Sequence, residues 1–276
     1  MKRIFFSLLL AGTISITQAQ VKAPVPSPAQ TIKQDFGLGT LEWSYSRPSL
    51  KGRKLYTDLA PAGKLWRTGA NSATTLTVSD EVIIGGKTIP AGKYGLLTIP
   101  GPKSWTVILT KQTDVTSDPT AYKEADDVVR VQAVPVTVKN STETFTIQLA
   151  NITPTTGELQ LSWGNIVVPV PIKTIIDARI MASIDASIKS EKPAYFQAAT
   201  YYLENNKDLD KAIEWFAKAV ETQPKAYWIQ YQYARALAKA GRKKEAKAAA
   251  EKSMLLAKEN HNDDYVRNNQ KLIAEL

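Results

Sequence analysis

The stretch TTLTVSDEVIIGGKTIPAGKYGLLTIPGPKSWTVILT, Thr74 to Thr110, decides the fold of the first half of the chain. Its apolar runs are too short for helices and are separated by turn residues. Thr74 to Val78 alternates apolar with polar, the period of a half-buried strand. Val82-Ile83-Ile84 meets Lys87-Thr88-Ile89 across Gly85-Gly86. That is a two-residue hairpin, because glycine takes positive φ there without strain. Pro90-Ala91-Gly92 turns the chain into Lys93 to Ile99, and Pro100-Gly101-Pro102 turns it again into Trp105 to Thr110.

The same pattern extends outward. Strands begin near Leu38, and Leu41, Trp43 and Tyr45 alternate with Glu42 and Ser44. Val128 to Val134 reads as a strand, and Glu143 to Ala150 places Phe145, Ile147 and Leu149 on one face. Glu158 to Trp163 does the same with Leu159, Leu161 and Trp163. Gly164-Asn165 reads as a turn into Ile166 to Ile172, where Pro169 and Pro171 imply an edge strand. Lys111 to Asp127 is a long polar loop that matches no calcium-loop spacing. Roughly nine or ten short strands predict an antiparallel β-sandwich or barrel-like domain, spanning residues 34–173.

At Thr174 the pattern changes. No glycine occurs between Asn165 and Ala240, and Ile175, Ile176, Ile180, Ile184 and Ile188 recur at helical spacing. Residues 174–276 are read as an all-α domain. Ala212, Phe216, Ala219 and Pro224 have the spacing of the second half of a tetratricopeptide repeat. Ala246, Ala250 and Ser253 follow one period, about 34 residues, later. Small residues let the helices of a hairpin approach closely, and the aromatic fills the space between hairpins. The first helices would be Ala194 to Asn206 and Tyr227 to Ala240. The Thr174 to Lys189 helix would act as a preceding half-repeat, and Asn262 to Leu276 would close the array. A generic amphipathic bundle is the alternative.

The N-terminus carries Lys2 and Arg3, an apolar run Ile4 to Leu10, and Thr17-Gln18-Ala19. This predicts a secretory signal peptide, residues 1–19, cut after Ala19. The apolar run is shorter than the ~20 residues a spanning helix needs, so no transmembrane segment is expected after cleavage. The protein is read as exported, periplasmic or secreted. Residues 20–33, with Pro24, Pro26 and Pro28, read as a disordered Pro/Ala-rich lead-in. The absence of cysteine excludes disulfides and thiolate chemistry. The formal charge of +9 is spread over both halves, whereas a nucleic-acid binder concentrates it in a stripe; no nucleic-acid partner is expected.

Between Ser44 and Thr77 lies a polar and aromatic stretch with Arg47, Arg53 and Arg67. Tyr45-Ser46-Arg47-Pro48, Lys51-Gly52-Arg53-Lys54 and Trp66-Arg67-Thr68-Gly69-Ala70-Asn71 occur in it in that order. Ile89-Pro90-Ala91-Gly92-Lys93-Tyr94, Thr98-Ile99-Pro100-Gly101 and Trp105-Thr106-Val107-Ile108 follow. Together they resemble the signature of the domain of unknown function 2911, a family of exported proteins found largely in Bacteroidetes. The resemblance covers roughly Gln34 to Ile172. It implies a β-rich exported domain and brings no catalytic residues. It departs in the acidic loop, where Pro119-Thr120-Ala121-Tyr122 stands in place of a Trp-Gly pair before the tyrosine.

The single histidine, His261, sits in the helical half. This excludes a Ser-His-Asp triad in the β-domain and histidine metal clusters. No cofactor is expected. A carboxylate pair such as Glu42 with Asp58 or Asp80 would be needed for a glycoside hydrolase, and nothing else supports that class. Two non-enzymatic readings stand. In the first, the inner face of the repeats binds a protein or peptide partner in the cell envelope and the β-domain is a platform. That face presents Gln197, Tyr201, Asn205, Trp228, Tyr231, Arg235 and Lys239, whose cations favour an acidic partner. In the second, Arg47, Trp66, Arg67 and Asn71 in the β-domain loops bind a glycan or small anionic ligand. An arginine locked to a buried carboxylate such as Glu42 or Asp58 is the structural alternative for Arg47 and Arg67.

Overall fold

The computed structural model describes residues 23–116 and 118–276. The expected signal peptide lies outside these residues. The chain divides into two compact units between Ile175 and Ile176.

In the first unit, ten strands among the described residues form two antiparallel sheets. The six-stranded sheet contains β1 (Ala29–Phe36), β2 (Gly39–Ser46), β3 (Thr75–Val78), β6 (Gly92–Ile99), β7 (Trp105–Thr110) and β8 (Asp127–Ala133). They lie in the order β1-β2-β3-β6-β7-β8. The four-stranded sheet runs β5-β4-β10-β9, from β5 (Lys87–Ile89), β4 (Val82–Ile84), β10 (Thr156–Lys173) and β9 (Val136–Ala150). Alternation decides which side chains face inward. Leu41, Trp43 and Tyr45 of one sheet share a core with Phe145, Ile147, Leu161 and Trp163 of the other. Stacked sheets stand ~10 Å apart, and large aromatic rings fill that gap.

The hairpin at Gly85-Gly86 forms as read, with Ile84 opposite Lys87 and both glycines at positive φ. Three readings are corrected. Strand β1 begins at Ala29, inside the stretch read as lead-in, and pairs along its whole length with β2 from Ala29↔Ser46 to Phe36↔Gly39. It is an edge strand of mostly polar residues, so its sequence carries little apolar signal. Gly164-Asn165 does not turn the chain, because β10 is one continuous strand of 18 residues. Gly164, at φ 59°, sits among register shifts against β9. The extra residues of these shifts lie on β9, which runs from Thr146 to Thr137 while β10 runs only from Ser162 to Ile166. Along β10 itself, inward positions move from Leu159, Leu161 and Trp163 to Val168, Val170 and Ile172 across the left-handed Gly164. Nor is β10 an edge strand. Pairing with β9 extends to Val167, and pairing with β4 involves Ile172 and Lys173. Pro169 and Pro171 fall between, where neither register pairs them, so their missing N–H groups break no ladder bond of either pairing.

The second unit holds six helices among its residues: α1 (Asp177–Ile188), α2 (Tyr195–Glu204), α3 (Leu209–Thr222), α4 (Tyr227–Lys239), α5 (Lys243–Glu259) and α6 (Asp263–Glu275). Short connections make sequential helices antiparallel hairpins. Asp208 accepts a hydrogen bond from the Lys211 N–H and caps α3; Asn262 does the same for Tyr265 at α6. The interior is built from Ala199, Ala212, Ala234, Ala236, Ala246 and Ala250, all fully buried. Phe216 is also fully buried, with the Phe196 ring 6.3 Å away. Ile184 brings α1 into this core, and the Asp177 carboxylate takes a hydrogen bond from Tyr201 of α2 at 2.7 Å. Asn269 of α6 donates to Ser253 of α5 at 2.8 Å, and Ser253 donates to the Tyr227 carbonyl at 2.8 Å. The last helix is thus tied into the array by buried polar contacts.

Candidate functional site

In the β unit, the loop Trp66 to Thr74 positions the residues of interest. Trp66 forms a one-residue bridge with Thr98 of β6: its N–H donates to the Thr98 carbonyl at 2.7 Å and its carbonyl accepts from the Thr98 N–H at 2.9 Å. The Trp66 indole N–H closes back on the Gly69 carbonyl at 3.1 Å. The Thr74 hydroxyl donates to the Thr68 carbonyl at 2.7 Å. The loop is therefore fixed from both ends. Thr68 is held within it at φ 58°, a left-handed conformation that costs a β-branched residue about 1–3 kcal/mol. The fold tolerates that cost directly beside Arg67.

Arg67 faces a cavity of about 340 Å³, which Lys51, Arg53, Asp58, Trp66 and Trp163 also line. The Arg67 Nε is buried and has no acceptor. Lys51 and Arg53 frame the opening differently. Arg53 is spent on carbonyls, donating to Leu50 at 3.0 Å and to Ser49 at 2.8 Å. The Lys51 backbone N–H is held by Glu143 Oε1 at 2.7 Å. Asp58 accepts from the Lys54 N–H at 2.8 Å and from the Thr57 hydroxyl at 2.9 Å. The first of these bonds, aided by the second, lowers its pKa, so it is a carboxylate at neutral pH. Trp66 stacks on Trp163 with centroids 5.5 Å apart and planes 13° from parallel, forming the cavity's aromatic wall.

The four residues read as a ligand site occupy three kinds of place. Trp66 and Arg67 line the cavity. Arg47 does not; its Nε donates to the Phe145 carbonyl at 3.0 Å and its Nη2 to the Thr146 hydroxyl at 2.8 Å. It is a strut from the end of β2 to β9, and its acceptors are a carbonyl and a hydroxyl instead of the carboxylate considered from sequence. Asn71, at φ 56°, donates to the Ser27 carbonyl at 3.1 Å and holds the segment before β1. Lys51 and Asp58 are additional lining residues. In the sequence Lys51 stood out only as part of the Lys51-Gly52-Arg53-Lys54 string, and Asp58 only as a candidate carboxylate or arginine partner. Glu42, Asp58 and Asp80 sit on three different elements: mid-β2, the helical turn Leu55–Leu59, and the turn after β3.

On the helical unit, Trp228, Tyr231, Arg235 and Lys239 form one stripe along α4, at spacings that share a helix face. Trp228 is 39% exposed, and its ring meets Tyr227 edge-on at 5.0 Å. Tyr231 meets Tyr265 of α6 at 5.5 Å. Tyr265 stands one repeat period after Tyr231, so the register itself pointed to α6 as a further inner helix. The lower half of the stripe is stitched to α2. Arg235 pairs with Glu204 at 2.6 Å, and Lys239 donates to the Leu203 carbonyl at 3.2 Å and to Asn206 at 2.6 Å. A smaller cavity of about 240 Å³ opens there, lined by Glu204, Arg235, Lys239 and Leu272. The Arg235 charge is thus answered within the protein, which weakens the expected preference for an acidic partner. On α2, Gln197 is exposed and Asn205 donates to the Tyr201 carbonyl of its own helix at 2.9 Å. Tyr201 turns to α1: burial first, and the bond to Asp177 second, push its phenol up to about 12.

Comparison with known proteins adds two findings. Residues 27–172 match the family described as "Protein of unknown function (DUF2911)", and residues 205–267 match a tetratricopeptide repeat family. No curated protein and no solved structure matches the chain.

Proposed function

The chain belongs to the DUF2911 family and carries tetratricopeptide-like repeats after that domain, and from this premise we propose that it is an exported interaction protein. The repeats hold a protein or peptide partner of the cell envelope, and the β-domain is the platform that carries them. The observation that supports this reading best is the match of residues 205–267 to a repeat family whose architecture suits protein–protein interaction. The α4 stripe supports it further. Its upper half offers Trp228 and Tyr231, aromatic side chains of the kind that anchor interfaces, while its lower half is locked by internal bonds. The partner is expected to bury Trp228 and to contact Gln197. The basic N-terminus followed by an apolar run supports export.

The test uses the full chain as bait against envelope fractions of its native host, beside a Trp228→Ala variant. A species retained by the wild type and lost from Trp228→Ala, at equal melting temperature, is the expected result. An identical set of retained species from both baits would overturn the assignment to this face. N-terminal sequencing of the protein from its host tests export: the first residue should be Gln20, and an intact Met1 would contradict it.

A further inference from the structure

We infer that the cavity beside Trp66 and Arg67 binds a small carboxylic acid bearing hydroxyl groups, the chemistry of a uronic acid. This inference concerns the β unit alone and does not depend on the reading of the repeats.

Four observations carry it. First, the Arg67 side chain makes no hydrogen bond or ion pair among the described residues, and its Nε is buried. A buried donor left unmade is destabilising, yet the loop is fixed by its own bonds on both sides of it. The guanidinium is thus pre-organised for an acceptor that the fold does not supply. Its planar fork matches a carboxylate in bidentate fashion. Second, Lys51 adds a cation whose side chain makes no ion pair among the described residues, so the lining favours a net negative ligand. Third, Asp58 lines the same cavity, and the Lys54 N–H and Thr57 hydroxyl keep it ionised. A carboxylate has more lone pairs than these two bonds use, and hydroxyl groups are donors for them. A phosphate dianion would meet repulsion there. Fourth, Trp66, Trp163 and Leu59 give an apolar wall suited to the C–H face of a ring. The volume of about 340 Å³ lies at the low end of ligand cavities, which run from about 300 to 1,000 Å³, and fits a ligand of one ring better than a chain.

Calorimetric titration of the full chain with glucuronate, glucose and inorganic phosphate tests this, with tryptophan fluorescence followed in parallel because Trp66 borders the cavity. Glucuronate should bind and should change the fluorescence, with glucose and phosphate each much weaker. Arg67→Gln should weaken glucuronate about tenfold or more, and Arg67→Lys should recover part of the loss. Because the Arg67 side chain has no partner among the described residues, Arg67→Gln should melt at or above the wild-type temperature. Any of four results would overturn the inference. They are no glucuronate binding at about 10 mM, equal binding by Arg67→Gln, phosphate binding as tight as glucuronate, or a fall in melting temperature on Arg67→Gln.

Discussion

At the centre of the β unit lie Trp43, Trp66, Trp105, Trp163 and Phe145; the centre of the helical unit is held by Ala199, Ala212, Ala234, Ala246 and Ala250. The two interiors differ because their elements approach at different distances with different surfaces. Two facing sheets leave a slot ~10 Å deep along its whole area, and rings fill it both edge to face and stacked. Trp66 alone meets Trp105 at 6.2 Å, Phe145 at 5.1 Å and Trp163 at 5.5 Å. Helices of a repeat hairpin touch along a line, and an 8–10 Å axial separation is set by the side chains at the contact. Alanine there brings the backbones together, and three buried rings, Tyr202, Trp215 and Phe216, fill the remaining space. The β unit depends on what it contains; the helical unit depends on what it leaves out.

Substitutions that exchange these rules should break the comparison most sharply. Trp163→Ala in the β unit and Phe216→Ala in the helical unit should each cost about 3–5 kcal/mol, read by chemical denaturation. Hydrogen exchange should localise the two losses to different units. Exchange that rises equally in both units from either variant would show that the cores are not separate. Next in size, Ala250→Leu should cost about 1–3 kcal/mol, or more, by forcing α4 and α5 apart. The same two-way logic predicts that enlarging Ala133, at the rim of the aromatic core, is felt only in the β unit. If Ala250→Leu melts like the wild type, close approach is not what the alanines provide.

The smallest effect sharpens the comparison through pH. The Tyr201 phenol is raised from its ordinary value near 10 to about 12 by burial first and then by the bond to Asp177. Below pH ~10 the phenol is protonated in both folded and unfolded chains, so its contribution to stability is fully present. Above that, the unfolded chain releases the proton first, and stability falls as pH rises from about 10 to about 12. Tyr201→Phe should flatten this alkaline decline in the exchange of α1 and α2, with little change at neutral pH. An unchanged alkaline profile in Tyr201→Phe would remove the link.

Much of this was readable in advance, and the reason differs by element. Strand β2 announces itself by alternation, while β6 and β7, buried on both faces, announce themselves as short apolar runs bounded by turn residues. The repeat register is readable because Ala212, Phe216 and Ala219 sit at a contact that tolerates few sizes. Strand β1 was not readable, since an edge strand of Gln, Lys and Thr buries little. The continuity of β10 was hidden because Gly164 signals a bulge and a turn with the same residue. At the cavity, Trp66 and Arg67 were singled out from their sequence, but nothing in the sequence told Arg67, without an acceptor, from Arg47, which spans to β9. That difference arises from which backbone carbonyls the second sheet brings near, and it exists only in three dimensions.

Strand β10 also governs the order in which the first unit can be completed. Its pairing with β4 joins Ile84 to Ile172, a separation of about 90 residues, and such distant pairings form late and slowly. During vectorial synthesis, the β4–β5 hairpin and β9 wait for the last strand of the sheet. Until Lys173 has been made and released, β4 and β9 lack their shared partner and the six-stranded sheet has no lid over its tryptophans. Exposed edges and rings of this kind are what holdase chaperones engage. A chain stopped anywhere before residue 173 would therefore be a substrate for quality control instead of a smaller stable domain.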